Sequence, residues 1–248
     1  MTWVLVPTHS RWDLLPGALE HLDAPVLVVD DSPSGAELPQ HVEVLRTSGE
    51  LGFAKAVNLG LDWLEGRGVQ RVLLLNDDAS PRPGCLQALE AAWSDSVALA
   101  GPLLLRPSGE VESAGIDYSP RTARVKVRTR VPAGPTQVPA LSGACLLMRT
   151  SLRFDPGFPH AMEDIDLARR ADGQVLLVPQ ARCLHVGGAT VDRRSARASR
   201  DALAGHLRLV GDRPVQRGLA VGYALAQVLR EGGRRQRLVG LARALRGR

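Results

Sequence analysis

Arg71-Val72-Leu73-Leu74-Leu75-Asn76-Asp77-Asp78 decides how this chain is read, because four apolar residues in a row deliver two adjacent carboxylates to a strand's end. A run of that length and composition, bounded by polar residues, is a buried strand. Two like charges side by side are unfavourable unless a cation or solvent compensates them, and α/β proteins bind ligands in the loops beyond strand ends. Hard divalent cations such as Mg²⁺ or Mn²⁺ favour such oxygens and share them with a substrate's phosphates. The competing reading is an Asn-Asp-Asp turn leading to the helix after Pro83-Gly84.

Upstream, Val4 to Val6 and Val26 to Val29 are short apolar runs. The segment between them carries Leu14, Leu15, Ala18, Leu19 and Leu22 at helical spacing. That is a β-α-β unit. A weaker strand, Val42 to Leu45, leads through Ser48-Gly49 into a helix patterned by Phe53, Val57, Leu61 and Leu64, and the strand at Val72 follows. The alternation predicts an α/β fold whose mostly parallel central sheet carries helices on both faces. Beyond the Asn-Asp-Asp turn we expect a helix over Gly84 to Trp93, a strand at Val97 to Ala100, an antiparallel excursion or loop between Pro107 and Pro139, an apolar run from Leu141 to Met148, and a strand at Val175 to Val178.

The 248 residues, 44% hydrophobic, suit one α/β domain with a tail, or two small domains. Apolar runs stay short of the roughly 18 residues that a spanning helix needs, and Met1 to Pro7 reads as a first strand rather than a signal peptide, so the expected location is cytoplasmic. Cys85, Cys145 and Cys183 form no C-x-x-C motif and read as buried thiols. The net charge of +5 is uneven: from Arg193 on, 14 arginines face Asp201, Asp212 and Glu231, which leaves −6 for residues 1–192. The expected organisation is therefore a domain over 1–192 and a basic helical extension over 193–248. The extension's apolar and arginine positions fit either a helix packed on the domain or a basic amphipathic helix on an anionic membrane at its cytoplasmic face. Without interleaved aromatics or a nucleic-acid motif, no nucleic-acid partner is expected.

The order of motifs is more specific than any one of them. Pro7-Thr8-His9-Ser10, Val28-Val29-Asp30-Asp31-Ser32, Leu51 to Gly60, Leu74-Leu75-Asn76-Asp77-Asp78, Leu141-Ser142-Gly143-Ala144, Met162-Glu163-Asp164-Ile165-Asp166-Leu167 and His185-Val186-Gly187-Gly188 follow one another along the chain. In this order the sequence resembles family 2 glycosyltransferases of the GT-A fold, especially a bacterial branch resembling rhamnosyltransferases. The resemblance implies inverting transfer of a sugar from a nucleotide-diphosphate donor to a saccharide or lipid-linked acceptor, assisted by Mg²⁺ or Mn²⁺. It implies Asp164 as catalytic base, Asp78 and His185 as metal ligands, and Thr8, Asp30, Asp31, Lys55, Asn58, Asp77 and Gly143 as donor contacts. Glu163 and Asp166, spaced i, i+3, would support Asp164, or else cap the helix or pair with Arg169 or Arg170. Asn-Asp-Asp stands where the family pattern has Asp-x-Asp, which puts the metal on Asp78. Two rival readings are a catalytically inactive glycosyltransferase-like binding or membrane-adaptor protein, and a sugar-phosphate nucleotidyltransferase. The latter's glycine-rich phosphate loop is missing from Pro7 to Arg11.

Overall fold

In chain order the elements are β1 (Trp3–Thr8), α1 (Leu15–Leu19), β2 (Val26–Asp30), β3 (Val42–Arg46), α2 (Phe53–Glu65), β4 (Arg71–Leu75), β5 (Ala79–Pro81), α3 (Cys85–Ala91) and β6 (Val97–Leu105). After them come β7 (Val111–Ser113), β8 (Ile116–Ser119), β9 (Arg124–Val127), β10 (Thr136–Gln137), β11 (Cys145–Arg149), α4 (Glu163–Arg170), β12 (Gln174–His185), α5 (Ala196–Val210), α6 (Pro214–Glu231) and α7 (Arg234–Leu245). These come from a computed structural model that describes residues 1–33, 42–187, 195–231 and 234–246. The expected boundary at 192/193 and Gly188 of the last motif lie outside the described residues.

The main sheet runs β10-β12-β6-β11-β4-β1-β2-β3. β3, β2, β1 and β4 are mutually parallel, and β6 is parallel to β12. β11 runs antiparallel between β4 and β6. Successive strand residues point to opposite faces. Leu5, Leu27, Val29, Val72 and Leu74 therefore pack with α2 and α4, while Val4, Val6, Val28, Leu73 and Leu75 pack with α1 and α3. Helix α2 lies close: a Cβ on Gly60 would stand 2.3 Å from Cδ1 of Leu5.

Several expected elements differ in extent. β6 continues through Gly101-Pro102 to Leu105, and β12 continues past Pro179 to His185, where its register against β6 shifts between Val178 and Arg182. The helix expected over Gly84 to Trp93 is α3, shorter at both ends. The 107–139 excursion is antiparallel: β7 pairs with β6, and β8 with β9 in a separate hairpin. The three cysteines, distant in sequence, meet in the core, with the Cys145 thiol in contact with those of Cys85 and Cys183 and raised well above its ordinary pKa by them and by burial.

In the expected basic helical extension, the described residues form a bundle of α5, α6 and α7. Leu203, Leu207, Ala220, Val228 and Leu241 form a small core between α5, α6 and α7. Helix α5 is also docked on the sheet domain. Leu209 joins the main core, His206 is hydrogen-bonded through Nε2 to the Ala123 carbonyl (2.6 Å), and Arg208 pairs with Asp155 (2.7 Å). Gly205 lies so close to the Ala161 carbonyl that a Cβ there would stand 2.2 Å from its oxygen.

Candidate active site

Sheet directions bring the motifs to one edge. β1, β2 and β4 end there at Thr8, Asp30 and Leu75. Because β11 runs the other way, its beginning lies at that edge, with Cys145 opposite Leu75 and the Asn76 N–H bonded to the Ala144 carbonyl (2.9 Å). β12 arrives there too. His185 pairs with Ala79 of β5, and the Val186 N–H donates to the Asp78 carbonyl (3.0 Å).

A cleft of about 720 Å³ opens at this edge, and Thr8, Asp31, Asp77, Asp78 and His185 line it. Thr8 donates its hydroxyl to Asp77 Oδ2 (2.8 Å). Burial pushes the Asp77 carboxyl up to about 6; the Thr8 bond opposes this and the neighbouring Asp78 charge adds to it. Asp78 faces the same burial, but the His185 imidazole, with Nε2 3.3 Å from Oδ1, holds it below the usual carboxylate range. On its other side His185 Nδ1 meets Glu112 Oε2 of β7 at 2.8 Å. Burial disfavours the charged ring, yet the hydrogen bonds that its N–H groups donate to these two carboxylates raise it to about 9.

Asp31 binds the loop before α2: its carboxylate accepts the Thr47 hydroxyl and the Leu51 and Gly52 N–H groups (3.2 and 2.8 Å). Gly52, at φ +76° and ψ 167°, adopts a positive-φ conformation open to glycine as the chain turns into the helix.

Asp164 is half-buried in the first turn of α4, and its carboxyl is raised by desolvation, against hydrogen bonds from the Ile165 and Gly143 N–H groups. Gly143 is next to it: a Cβ there would stand 3.8 Å from that of Asp164. Glu163 is pushed up to about 8, by burial first and then by the charges of Asp164 and Asp201. It lines a smaller hollow of about 200 Å³, together with Lys55 and Arg200, that shares Phe53, His160, Arg197 and Asp201 with the main cleft.

Two expected donor contacts are engaged within the fold, and Asp166 takes one of the two roles expected of it. The Asn58 amide is bonded at both ends to the Phe154 backbone, donating to its carbonyl (2.8 Å) and accepting from its N–H (2.9 Å), so it clamps the chain after β11 instead of facing the cleft. Asp166 pairs with Arg170 (2.7 Å), the structural alternative to supporting Asp164. Asp30 is 1% exposed and held by Arg46 (2.7 Å), with Oδ1 buried and unbonded. Sequence reasoning missed Glu112, Arg197 and Asp201. The last two carried a signal in their i, i+4 spacing on α5; Glu112 carried none.

Among the described residues no three His, Cys, Asp or Glu side chains are arranged to cage a metal ion. Asp78 with His185, and Asp77 alongside, fits the other mode, in which Mg²⁺ or Mn²⁺ takes few protein ligands and completes its shell with phosphate oxygens. His185, protonated between Asp78 and Glu112, would release that proton to ligate.

The model of glycosyl transferase family 2 matches residues 3–153. The chain belongs to that family. No curated protein matches its sequence. Among solved structures it is similar to GalNAc-T7 with UDP, GalNAc and Mn²⁺, at 16% identity and a TM-score of 0.61 over 85% of this chain and 47% of that one. It is also similar to S. aureus TarS, at 16% identity and a TM-score of 0.55 over 92% of this chain and 43% of that one. For residues 1–349 of TarS in complex with UDP-GlcNAc the values are 14%, 0.55, 98% and 81%. The chain thus spans less than half the length of the first two, and at such identities the likeness concerns the fold, the mixed α/β GT-A architecture.

Proposed function

We propose that this family 2 domain is an inverting glycosyltransferase that moves a hexosyl or deoxyhexosyl group from a nucleoside-diphosphate sugar to a hydroxyl of a saccharide or lipid-linked acceptor. Bacterial polysaccharide or glycoconjugate synthesis is the setting that the rhamnosyltransferase-like motif order favours. The observation that carries this reading is the meeting of Asp78 and His185 at the cleft edge where β1, β4, β11 and β12 converge.

In this reading the nucleoside lies by Thr8 and Asp31 and the diphosphate by Asp77, Asp78 and His185. A divalent cation there would neutralise charge on the departing diphosphate. Asp164 takes the proton of the acceptor hydroxyl as it attacks the anomeric carbon. Desolvation raises its basicity above that of an ordinary carboxylate, as suits a general base. The Gly143 and Ile165 N–H groups orient it. Glu163, carrying its proton near neutral pH, spares Asp164 a second adjacent negative charge.

Calorimetry with a panel of nucleoside diphosphates and Mn²⁺ tests the reading. We expect binding that Asp78→Ala weakens at least tenfold. Asp164→Ala should abolish transfer with donor affinity unchanged. Absence of binding across the panel, or indifference to Asp78→Ala, would overturn the assignment.

A further inference from the structure

Helix α6 is apolar on both sides. Ala220 and Val228 face the small core shared with α5 and α7. On the opposite side Val215, Leu219 and Tyr223, spaced i, i+4, i+8, and Leu225 with Leu229 are 37% to 68% exposed. Gly218, Gly222 and Ala226 fill the gaps between them and are exposed too. A surface helix ordinarily turns charge outward. Helix α7 adds exposed Leu238, Val239 and Leu245 beside exposed Arg235, Arg243 and Arg246.

Charge identifies the occupant. From Pro214 to Arg246 there are seven arginines and one acid, Glu231. Arg237 is buried and hydrogen-bonded to Ser199 (3.3 Å), but Arg217, Arg230, Arg235, Arg243 and Arg246 are exposed. A second copy of the chain would bring the same positive charges against them, which disfavours self-association. Nucleic acid would neutralise the arginines and leave the aliphatic surface in water. A bilayer with anionic headgroups satisfies both, since a helix lying in the interface buries its apolar face while basic side chains reach the phosphates. Among the described residues no helix is long and apolar enough to cross the membrane.

We propose that the outer surface of α6 and α7 is a docking face for an anionic lipid bilayer, entered by the Val215, Leu219, Leu225 and Leu229 side chains and held by Arg235, Arg243 and Arg246. It does not depend on the transferase reading. Helix α5 carries Arg197 and Asp201 in the cleft and Leu203 and Leu207 in the bundle core, so a bilayer on this face would lie one helix from the site.

Flotation of the full chain with phosphatidylglycerol-containing vesicles, compared with pure phosphatidylcholine, tests the proposal. We expect binding at least tenfold tighter to the anionic vesicles and suppressed by salt. The double substitution Arg235→Ala with Arg243→Ala should weaken it about 25-fold, at about fivefold per arginine near the surface. Leu225→Glu with Leu229→Glu should abolish it while the thermal midpoint and nucleotide affinity stay unchanged. Failure to float with anionic vesicles, equal binding to both vesicle types, or unchanged binding by either double variant would overturn it. So would a dimer in light scattering that Leu229→Glu dissociates, which would assign the face to a second copy.

Discussion

Gly205→Ala is the sharpest probe of the docking of α5 on the sheet domain. In a helix interior the change alone favours folding by about 1 kcal/mol, since alanine loses less backbone freedom than glycine. At Gly205 the new methyl would stand 2.2 Å from the Ala161 oxygen and 3.0 Å from its carbonyl carbon. A relaxed C···O contact is about 3.3 Å, so the helix must retreat by about 1 Å or the 161 loop must move. Neither neighbour is a side-chain tip that can swing aside. Because the obstacle is backbone, the cost lies in the upper part of the range for overpacking, about 2–3 kcal/mol. The steric cost therefore outweighs the propensity gain, and we expect a net loss of about 1–2 kcal/mol. For a chain of this size that lowers the melting temperature by roughly 2–8 °C. Gly218→Ala on α6 is the control: nothing lies within 4 Å of its added methyl, so propensity acts alone and the midpoint should rise by about 2–4 °C. Thermal melts followed by circular dichroism read both. Asp201 lies one turn before Gly205 and lines the cleft, so Gly205→Ala should also weaken nucleotide binding. A Gly205→Ala midpoint that rises like that of Gly218→Ala would refute the docking of α5 on the Ala161 loop.

Asn58→Ala should cost about 2–3 kcal/mol in urea unfolding, as two hydrogen bonds to the Phe154 backbone are lost, with nucleotide affinity unchanged; a selective loss of affinity would return Asn58 to the donor site. The Glu163 carboxyl is raised to about 8 from an ordinary value near 4.5, so the folded state binds the extra proton between those values. Its contribution to stability is complete below the lower value and lost as pH rises through the upper one. Glu163→Gln should thus gain stability relative to the parent between pH 5 and pH 9 (about 4 units), and a constant difference between the two urea midpoints would contradict this. Arg46→Met, which leaves the Asp30 carboxylate buried without its cation, should destabilise by about 3–5 kcal/mol, and a loss below about 1 kcal/mol in the same assay would show that Asp30 is stabilised by other means.

The first half of the sheet was legible because β1, β2 and β4 are unbroken apolar runs and α1 and α2 carry one apolar face each. β12 was read short because Pro179 and Gln180 look like an end, whereas the strand absorbs them where its register shifts against β6. The residues at the cleft edge were legible through their positions after strands. Their bonding was not: Glu112 meets His185 across 73 residues, and Asn58 is fixed by a backbone, which has no letter in the sequence. Arg197 and Asp201 were hidden for another reason. Their segment reads by composition as a basic tail, and only its packing against the Ala161 loop turns it into a wall of the cleft.

That wall also limits how the protein can be divided. The family match stops at residue 153, before Asp164, His185 and Asp201, and a cut at residue 192 would sever the sheet domain from α5. A transplantable module that keeps the candidate site whole would extend through Val210. A chimera joined after that helix would exchange the α6 and α7 surface while keeping the cleft whole, so the proposed bilayer contact and the proposed sugar transfer could be varied independently of each other.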